Sequence, residues 1–296
     1  MTGWIIYNGA LRIKKVEILA LDLVERAKKV GINFIPVKNN EIIPMIDDNG
    51  ELTIKGLDKL KEPEFIIFWD KDVLLAKHLE DMGYMLFNSS RAIEICDNKS
   101  LMHIELAKNK LRVPKTIISP YVYQNQKLSD QYFDRVIEEL GKSIILKESY
   151  GSFGMQVYKL EGKEELRNKI MELGRKSFVI QEDIKESHGR DIRVNIIGDR
   201  IIGAMERISE GDFRANITLG ATARPIELTK EQADLSLKAH RTLELDFSGV
   251  DLLYDKNRNP ILCEVNSNVN YISFEKTTGI SFGDKILDYI RGRLEC

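Results

Sequence analysis

Residues 249–266 read Gly249-Val-Asp251-Leu-Leu-Tyr254-Asp-Lys-Asn-Arg-Asn-Pro260-Ile-Leu-Cys-Glu264-Val-Asn266. The six residues in the middle are turn formers, so the flanking segments are predicted to be the two antiparallel strands of one hairpin. If the hairpin closes symmetrically, the facing pairs are Tyr254–Ile261, Asp251–Glu264 and Gly249–Asn266.

Alternation of side chains along a strand gives this hairpin two different faces. The apolar face consists of Val250, Leu252, Tyr254, Ile261, Cys263 and Val265. The other face carries Asp251, Glu264 and Asn266, and Gly249 adds no side chain to crowd them. Two facing carboxylates repel unless a cation compensates, and carboxylate and amide oxygens suit a magnesium ion that carries substrate phosphates. The hairpin taken alone is either a metal site or a solvated hairpin end.

The composition excludes several classes of protein. A chain of 296 residues can bury a large core, and its formal charge of -2 argues against nucleic acid as a partner. No apolar run is long enough to cross a bilayer, and the first residues lack the pattern of a signal peptide. Three cysteines and four histidines are too scattered for a disulfide framework or a zinc site. We expect a cytoplasmic protein without a membrane partner.

Hydrophobic periodicity predicts an α/β module in residues 1–88. Buried strands are expected at residues 4–7, 33–37 and 65–69, with helices at 14–30 and 73–82 between them. This alternation is typical of a small parallel sheet. After residue 90, helices and strands follow in a mixed α+β order.

Gly198-Asp199 is a two-residue turn that predicts a second hairpin. Pairing Ile197 with Arg200 gives an apolar face of Ile192, Val194, Ile196, Ile201, Gly203 and Met205. On the opposite face the expected pairs are Asp191–Glu206, Arg193–Ala204 and Asn195–Ile202.

Lys147 ends an apolar strand and is followed by the glycine loop, residues 148–154, which reads Glu-Ser-Tyr-Gly151-Ser152-Phe153-Gly154. A lysine in this place can bind nucleotide phosphates while backbone N–H groups of the loop surround them. Two glycines permit the close approach of the backbone. Neither a Walker A loop nor a Gly-x-Gly-x-x-Gly motif occurs. An ordinary hairpin turn with a solvated lysine is the alternative.

Three further segments carry residue types that are suited to ligand binding. They are Lys99 at a helix start, the strand end Gln181-Glu182-Asp183-Ile184, and the polar stretch with Arg207, Arg214 and Asn216. The lysine suits a phosphate, the strand end an adenine, and the arginines a carboxylate or phosphate. Each also has a purely structural interpretation, as a solvated lysine, a plain strand end or surface arginines.

Taken in order, these segments resemble the ATP-grasp superfamily and, within it, the RimK-type glutamate ligases. The resemblance covers roughly residues 85–290 and rests on short motifs in the same order: Asn88-Ser-Ser-Arg-Ala-Ile-Glu-Ile-Cys-Asp-Asn-Lys99, Lys147 with its loop, Gln181-Glu-Asp-Ile-Lys-Glu186, Gly189-Arg-Asp-Ile-Arg193, Glu206-Arg207, Gly211-Asp-Phe-Arg-Ala-Asn216, Gly249-Val-Asp251, Glu264-Val-Asn266 and Phe274-Glu-Lys-Thr-Thr-Gly279.

The resemblance implies an ATP-grasp fold with a pre-ATP-grasp domain at residues 1–88 and two α+β subdomains, at 89–185 and 186–296, that enclose ATP. It implies ATP contacts by Lys99, Lys147, Gly151, Ser152, Phe153, Gly154, Gln181, Glu182, Asp183, Ile184 and Asp191. It implies two Mg²⁺ or Mn²⁺ ions on Asp251, Glu264 and Asn266. Contacts to the phosphate or acyl phosphate are expected from Arg193, Arg207, Arg214 and Asn216.

The family's reaction transfers the γ-phosphate of ATP to a carboxylate, and an amine then attacks the acyl phosphate to form an amide. The expected partners are therefore ATP, a carboxylate and an amine that belongs to an amino acid, peptide or protein tail; relatives are commonly homo-oligomers. Related ligases often continue Glu-x-Asn with Ser-Pro-Gly, whereas this chain continues Asn266-Ser-Asn-Val-Asn270. Glutamate addition is the first hypothesis. Modification with another amino acid, peptide macrocyclisation, and an inactive ATP-binding partner or sensor protein stay open as alternatives.

Overall fold

The computed structural model describes residues 1–11, 14–58, 60–123, 127–152 and 154–295. Its first part is a four-stranded parallel sheet in the order β2-β1-β5-β6, flanked by helices, and a separate antiparallel pair, β3 with β4, lies in the chain between β2 and β5. The elements are β1 (Thr2–Tyr7), α1 (Lys15–Lys29), β2 (Asn33–Lys38), β3 (Ile43–Ile46), β4 (Leu52–Lys55), β5 (Phe65–Trp69), α2 (Val73–Asp81) and β6 (Leu86–Phe87). The parallel sheet predicted for residues 1–88 is confirmed.

The second part is a four-stranded antiparallel sheet in the order β7-β10-β8-β9. The elements are α3 (Ser90–Asp97), α4 (Lys99–Lys108), β7 (Thr116–Ile118), α5 (Asp130–Leu140), β8 (Ser143–Glu148), β9 (Val157–Glu161), α6 (Gly162–Leu173) and β10 (Phe178–Glu182). Helices α5 and α6 bury Phe133, Leu166 and Ile170 against the sheet.

The third part is a five-stranded antiparallel sheet in the order β13-β12-β11-β14-β15. The elements are β11 (Arg190–Ile197), β12 (Arg200–Ile208), β13 (Thr222–Ile226), α7 (Lys230–Thr242), β14 (Phe247–Tyr254), β15 (Pro260–Asn266), α8 (Tyr271–Thr278) and α9 (Phe282–Leu294).

Two hydrophobic clusters join these parts. Ile95 and Met102 of α3 and α4 pack with Val250 and Leu262 of the five-stranded sheet. Phe282 and other residues of α8 and α9 pack against α1 and the parallel sheet, in a cluster that includes Leu23. The chain therefore returns to its first part after completing the third sheet. The domain limits given above remain a prediction.

Both hairpins contain a bulge that the sequence analysis did not foresee. In the β14–β15 hairpin the outer pairs Gly249–Asn266 and Asp251–Glu264 are as predicted, but the inner pairs are Leu252–Leu262, Leu253–Ile261 and Tyr254–Pro260. Cys263 is the extra residue, and it leaves the apolar face while Leu262 takes its place in the core. The assignment of Cys263 to the apolar face was wrong, because one extra residue reverses the side-chain alternation.

The β11–β12 hairpin keeps the predicted Ile197–Arg200 pair, and its register shifts between Asn195 and Ile196. Asp191 consequently faces Arg207 rather than Glu206, and Arg193 faces Met205 rather than Ala204. Ile202 is likewise not the partner of Asn195, which pairs with Gly203. The shift places an acidic and a basic residue side by side, which the expected register did not.

Candidate functional site

A cavity of about 530 Å³ lies where the three parts meet. One end, named the nucleotide end, is formed by the antiparallel sheets and the glycine loop. It is lined by Lys99, Lys147, Gly151, Ser152, Gly154, Gln181, Glu182, Asp183, Ile184, Asp191, Arg193, Arg207, Asp251, Cys263, Glu264 and Asn266. The structure thus brings nearly all the predicted site residues together; Phe153 lies outside the described residues.

Two buried lysines mark this end. Lys147 projects from β8 and its Nζ lies 3.5 Å from Cys263 Sγ, while Lys99 begins α4 behind the capping side chain of Asn98. Their exposed fractions are only 7% and 5%, and neither has an acidic partner within 4.0 Å in the part of the chain that the structure describes. A buried ammonium without a counter-ion is costly, so this pair favours an anionic ligand.

The glycine loop is tied to the N-terminal cap of α4 and to the third part of the chain. Asn98 Nδ2 donates to the Tyr150 hydroxyl at 3.0 Å on one side, and Arg214 Nη1 donates to the Gly154 carbonyl at 2.6 Å on the other. Gly154 adopts φ +73°, which favours glycine, and a Cβ at Gly151 would lie 2.7 Å from Gln156 Oε1. The loop therefore needs both glycines to lie along the cavity.

Side chains at the strand end, residues 181–184, form hydrogen bonds with other residues of the protein. Gln181 Nε2 donates to Thr116 Oγ1 and to His103 Nε2, each at 2.9 Å. Burial, followed by the charges of Lys147 and Lys99, lowers the pKa of His103 to about 3, so this imidazole is neutral. Asp183 accepts hydrogen bonds from Ser143 at 2.8 Å and from His188. The carboxylate of Asp183 is thus engaged within the protein, and its backbone is the part left for an adenine.

Arginines and aspartates form a buried charge network above the five-stranded sheet. Arg207 binds Asp191 through two hydrogen bonds of 2.6 Å and lies 3.0 Å from Asp251, which also binds Arg193 bidentately. A Cβ at Gly249 would meet Arg193 Nη1 at 2.7 Å, so the absence of a side chain there makes room for the guanidinium.

The network displaces the pKa values of both aspartates. Burial, only partly offset by Arg207, raises the pKa of Asp191 to about 6. Burial also acts to raise the pKa of Asp251, but the charges of Arg193 and Arg207 outweigh it and keep that pKa below its usual value. Asp251 is therefore an ionised carboxylate, the form in which it can bind a cation.

The predicted metal ligands are two carboxylates and an amide, which is the donor chemistry of a hard divalent cation, and Asp251 among them is bound by Arg193 and Arg207 in this structure. Asp251 and Glu264 face each other across β14 and β15, and Asn266 Nδ2 lies 3.4 Å from Asp251 Oδ2. Within the described ranges, Glu264 has no basic partner within 4.0 Å, although it lines the cavity. No group of three or more His, Cys, Asp and Glu suited to a metal occurs among the described residues. The third predicted ligand here, Asn266, is an amide.

Arg214 and Asn216 lie on the segment between β12 and β13, beside the glycine loop. Arg214 is paired with Asp212, which raises the pKa of the guanidinium, and Asn216 Oδ1 accepts from the Thr218 backbone at 2.8 Å. Both residues line the cavity.

Another part of the cavity wall, named the far end, was missed by sequence reasoning. It comes mainly from the first part of the chain and from the segments after β12 and β15. Its apolar residues are Leu11, Val16, Leu19, Trp69, Ile217 and Val269, and its polar residues are Asn8, Lys15, Asp70, Lys71, Thr218, Asn268, Asn270 and Ser273. These residues form no motif because they come from separate elements. The one available signal was the departure after Asn266, which leads into this surface.

A family model described as the RimK-like ATP-grasp domain matches residues 96–290. The chain belongs to the RimK-like ATP-grasp family. It is 32% identical over 217 residues to ribosomal protein bS6–L-glutamate ligase of Escherichia coli, covering 72% of this chain and 70% of the relative. It is 32% identical over 223 residues to human N-acetylaspartylglutamate synthase A, covering 74% of this chain and 56% of that protein.

Solved structures confirm the fold. D-alanine–D-alanine ligase from Bacillus anthracis in complex with ATP aligns with a TM-score of 0.74 at 20% identity, covering 99% of this chain and 97% of the ligase. The expected ATP-grasp fold and the expectation of ATP-dependent amide bond formation are confirmed at the level of the RimK-like family. ATP-grasp enzymes use ATP and a divalent metal ion. Across the described residues, no helix is both long enough and apolar enough to cross a membrane.

Proposed function

We propose that this RimK-like ATP-grasp protein is an ADP-forming ligase that joins a carboxylate to the amine of L-glutamate through an acyl phosphate. The observation that carries the proposal is the position of two buried lysines, Lys99 and Lys147, in one cavity with the facing carboxylates Asp251 and Glu264. Within the described ranges the two lysines and Glu264 have no partner of opposite charge within 4.0 Å, whereas Asp251 is bound by Arg193 and Arg207. Free cations beside a free carboxylate suit a ligand that brings both phosphate and metal.

The nucleotide end offers a contact for each part of ATP. The backbone of Glu182 to Ile184 lies at the edge of the cavity where an adenine can hydrogen-bond. Lys99 and Lys147 then meet the phosphates, and the glycine loop covers them through backbone N–H groups. Asp251, Glu264 and Asn266 would hold one or two Mg²⁺ or Mn²⁺ ions, which neutralise phosphate charge when bound.

The reaction proceeds in two displacements. A carboxylate oxygen of the acid substrate attacks the γ-phosphorus, the bond to the β,γ-bridging oxygen breaks, and ADP leaves. The glutamate nitrogen then attacks the acyl carbon; the C–O bond to phosphate breaks, inorganic phosphate leaves, and the nitrogen loses a proton to solvent. The first displacement converts the carboxylate, whose oxygen is a poor leaving group, into an acyl phosphate, from which phosphate leaves readily.

Arginines supply the positive charge that both steps require. Arg193 and Arg207 are fixed by Asp251 and Asp191, so their guanidinium groups are oriented before the substrates bind. Arg214 is anchored to Asp212 and to the Gly154 carbonyl, which links the acyl-phosphate contact to the position of the loop. A loop held in this way keeps water from the acyl phosphate.

The names of the two relatives suggest glutamate as the amine substrate. The Escherichia coli relative is a glutamate ligase acting on a ribosomal protein, and the human relative makes N-acetylaspartylglutamate. Both names contain glutamate, and they differ in the partner of glutamate. We therefore propose glutamate as the amine substrate, and the acid substrate is to be identified by experiment.

The test is an ADP-release screen with Mg²⁺ and ATP over the twenty amino acids combined with a panel of small acids and peptides. Glutamate-dependent ADP release and a product heavier by one glutamyl residue are expected, and Lys147→Met should lose ATP binding. ATP binding without ADP release in any mixture would instead favour an inactive binding protein. Release that depends on another amino acid would refute glutamate as the amine.

A further inference from the structure

The far end of the cavity combines apolar and polar lining residues with one cation, Lys15, that has no acidic partner within 4.0 Å among the residues that the structure describes. Leu19 and Trp69 are 4% and 2% exposed and belong to the same hydrophobic cluster as Val269. Lys15, the first residue of α1, lies on the wall next to them. Lys15 is an exposed residue of α1 whose side chain borders both these apolar residues and the polar lining residues, and its place on the cavity wall is the feature that requires an explanation.

The ion pairs of the cavity single out this lysine. Most basic side chains that line the cavity have an acidic partner within 4.0 Å; they are Lys71, His188, Arg190, Arg193, Arg207 and Arg214. Among the residues that the structure describes, three lining cations lack one: Lys99, Lys147 and Lys15. The first two lie at the nucleotide end, where the proposed function assigns them to phosphates. Lys15 remains, at the other end.

The position of Lys15 is fixed by its helix and by one contact across the cavity. Leu19 and Leu23 bury the inner face of α1, which holds the first turn in place. Lys15 Nζ donates to Thr218 Oγ1 at 3.3 Å, and Thr218 belongs to the same short turn as Asn216. An ammonium has three N–H donors, so two remain for a ligand.

We propose that Lys15 determines specificity at the far end by binding a carboxylate of the amino acid that supplies the amine. This inference rests on the proposed function, because it places the amine substrate opposite the phosphates. An amino acid with its carboxylate on Lys15 lies between the first part of the chain and the turn with Asn216. Its nitrogen can then reach toward the acyl phosphate held by the arginines.

Glutamate offers two carboxylates, on the α-carbon and on the side chain, and either has the chemistry that Lys15 recognises. Glutamine lacks the side-chain carboxylate and isoglutamine lacks the free α-carboxylate, so the two amides distinguish the sources. Loss of a charge-assisted hydrogen bond at a partly exposed lysine corresponds to a change of about 10- to 100-fold in binding.

The experiment compares Lys15→Met and Lys15→Gln with the matched control Lys14→Met, whose side chain is exposed and does not line the cavity. KM for glutamate is expected to rise about 10- to 100-fold in both Lys15 variants. The Kd of ATP, measured by titration calorimetry, should stay within about twofold in all three variants, as surface substitutions usually allow. Lys15→Arg should recover most of the glutamate affinity.

A second arm measures discrimination. The wild-type protein should prefer glutamate over one of the two amides by roughly 10-fold or more, and that preference should disappear in Lys15→Met. An unchanged KM in both Lys15 variants, or an intact preference over both amides, would overturn the assignment while leaving the ligase function standing. Absence of any amino-acid-dependent ADP release by the wild-type protein would overturn the proposed function and the role of Lys15 with it.

Discussion

The two ends of the cavity are built in different ways. The nucleotide end takes its residues from strands and from the loop that directly follows Lys147, and its charges are largely arranged in fixed pairs such as Arg207 with Asp191. The far end takes its residues from a helix start, a strand end and two connecting segments, and its apolar and polar side chains are mixed. Charge geometry is set by strand register at one end and by packing of distant segments at the other.

This difference separates chemistry from substrate choice. Register fixes Asp251 opposite Glu264 whatever substrate is used, because backbone hydrogen bonds determine it. The far end can change through single substitutions on α1 or after β15 without disturbing a strand. Substitutions at the nucleotide end should therefore remove activity or stability, whereas those at the far end should change which substrate is used.

The largest effect is expected for Glu264→Ala. Loss of a metal-binding carboxylate should reduce ADP release by roughly 1,000-fold, since phosphoryl transfer depends on charge neutralisation. Unchanged circular dichroism would show that the fold is retained, and the exposed Glu227→Ala is the matched control. Undiminished turnover in Glu264→Ala would refute its role as a metal ligand.

Arg207→Met should affect stability next most strongly. The substitution leaves Asp191 and Asp251 buried without their shared cation, which should lower the free energy of unfolding by about 3 kcal/mol in urea titrations. Arg241→Met removes an exposed ion pair with Asp199 and should cost less than about 1 kcal/mol. Equal losses of unfolding free energy in the two variants would show that the buried network stabilises the fold no more than an exposed ion pair does.

A pH effect should follow from His103 behind the nucleotide end. The pKa of His103 is lowered from 6.5 to about 3 in the folded chain, so only the unfolded chain takes up a proton as the pH falls below 6.5. The free energy of unfolding should therefore decrease with falling pH, and this histidine accounts for about 2 kcal/mol between about pH 7.5 and 5. In His103→Gln that part of the slope should vanish; identical slopes would show that His103 titrates normally.

The smallest effect is expected at the link between the two ends. Lys71 of the first part forms an ion pair with Asp97 and lies 3.5 Å from the Gly151 carbonyl. Lys71→Met should change the free energy of unfolding by less than about 1 kcal/mol, because the pair is partly exposed. Amide hydrogen exchange should nevertheless increase in the glycine loop and not in Lys77→Met, whose ion pair with Asp81 is exposed. Equal hydrogen exchange in the glycine loop of both variants would show that Lys71 does not restrain this loop.

Much of the local structure could be predicted from the chain alone. Residues 65–69 form the strand that was expected from their apolar run, and Lys99 begins a helix, as expected. The facing pair Asp251–Glu264 is as predicted, although the count began from the pair Tyr254–Ile261, because the bulge at Cys263 offsets the different closure of the turn. These features depend on neighbours along the chain, where sequence patterns are reliable.

The predicted strand pairs were wrong where a single extra residue in one strand shifted the register of a hairpin. The bulge at Cys263 turned this thiol toward Lys147, and the bulge between Asn195 and Ile196 paired Asp191 with Arg207. A bulge leaves no signature in composition, because it is stabilised by the packing and charge pairing that it creates. The Asp191–Arg207–Asp251 network could only be seen in three dimensions.

The sequence by itself determined the elements, the carboxylate hairpin and the resemblance to the RimK-like ATP-grasp family. Only the tertiary structure decided which charges pair, that Cys263 faces the cavity, and that Lys15 and Trp69 complete its far end. The physical reason is the range of the interactions. Strand alternation and helix capping act over a few residues, whereas the return of α8 and α9 to α1 brings together side chains from opposite ends of the chain.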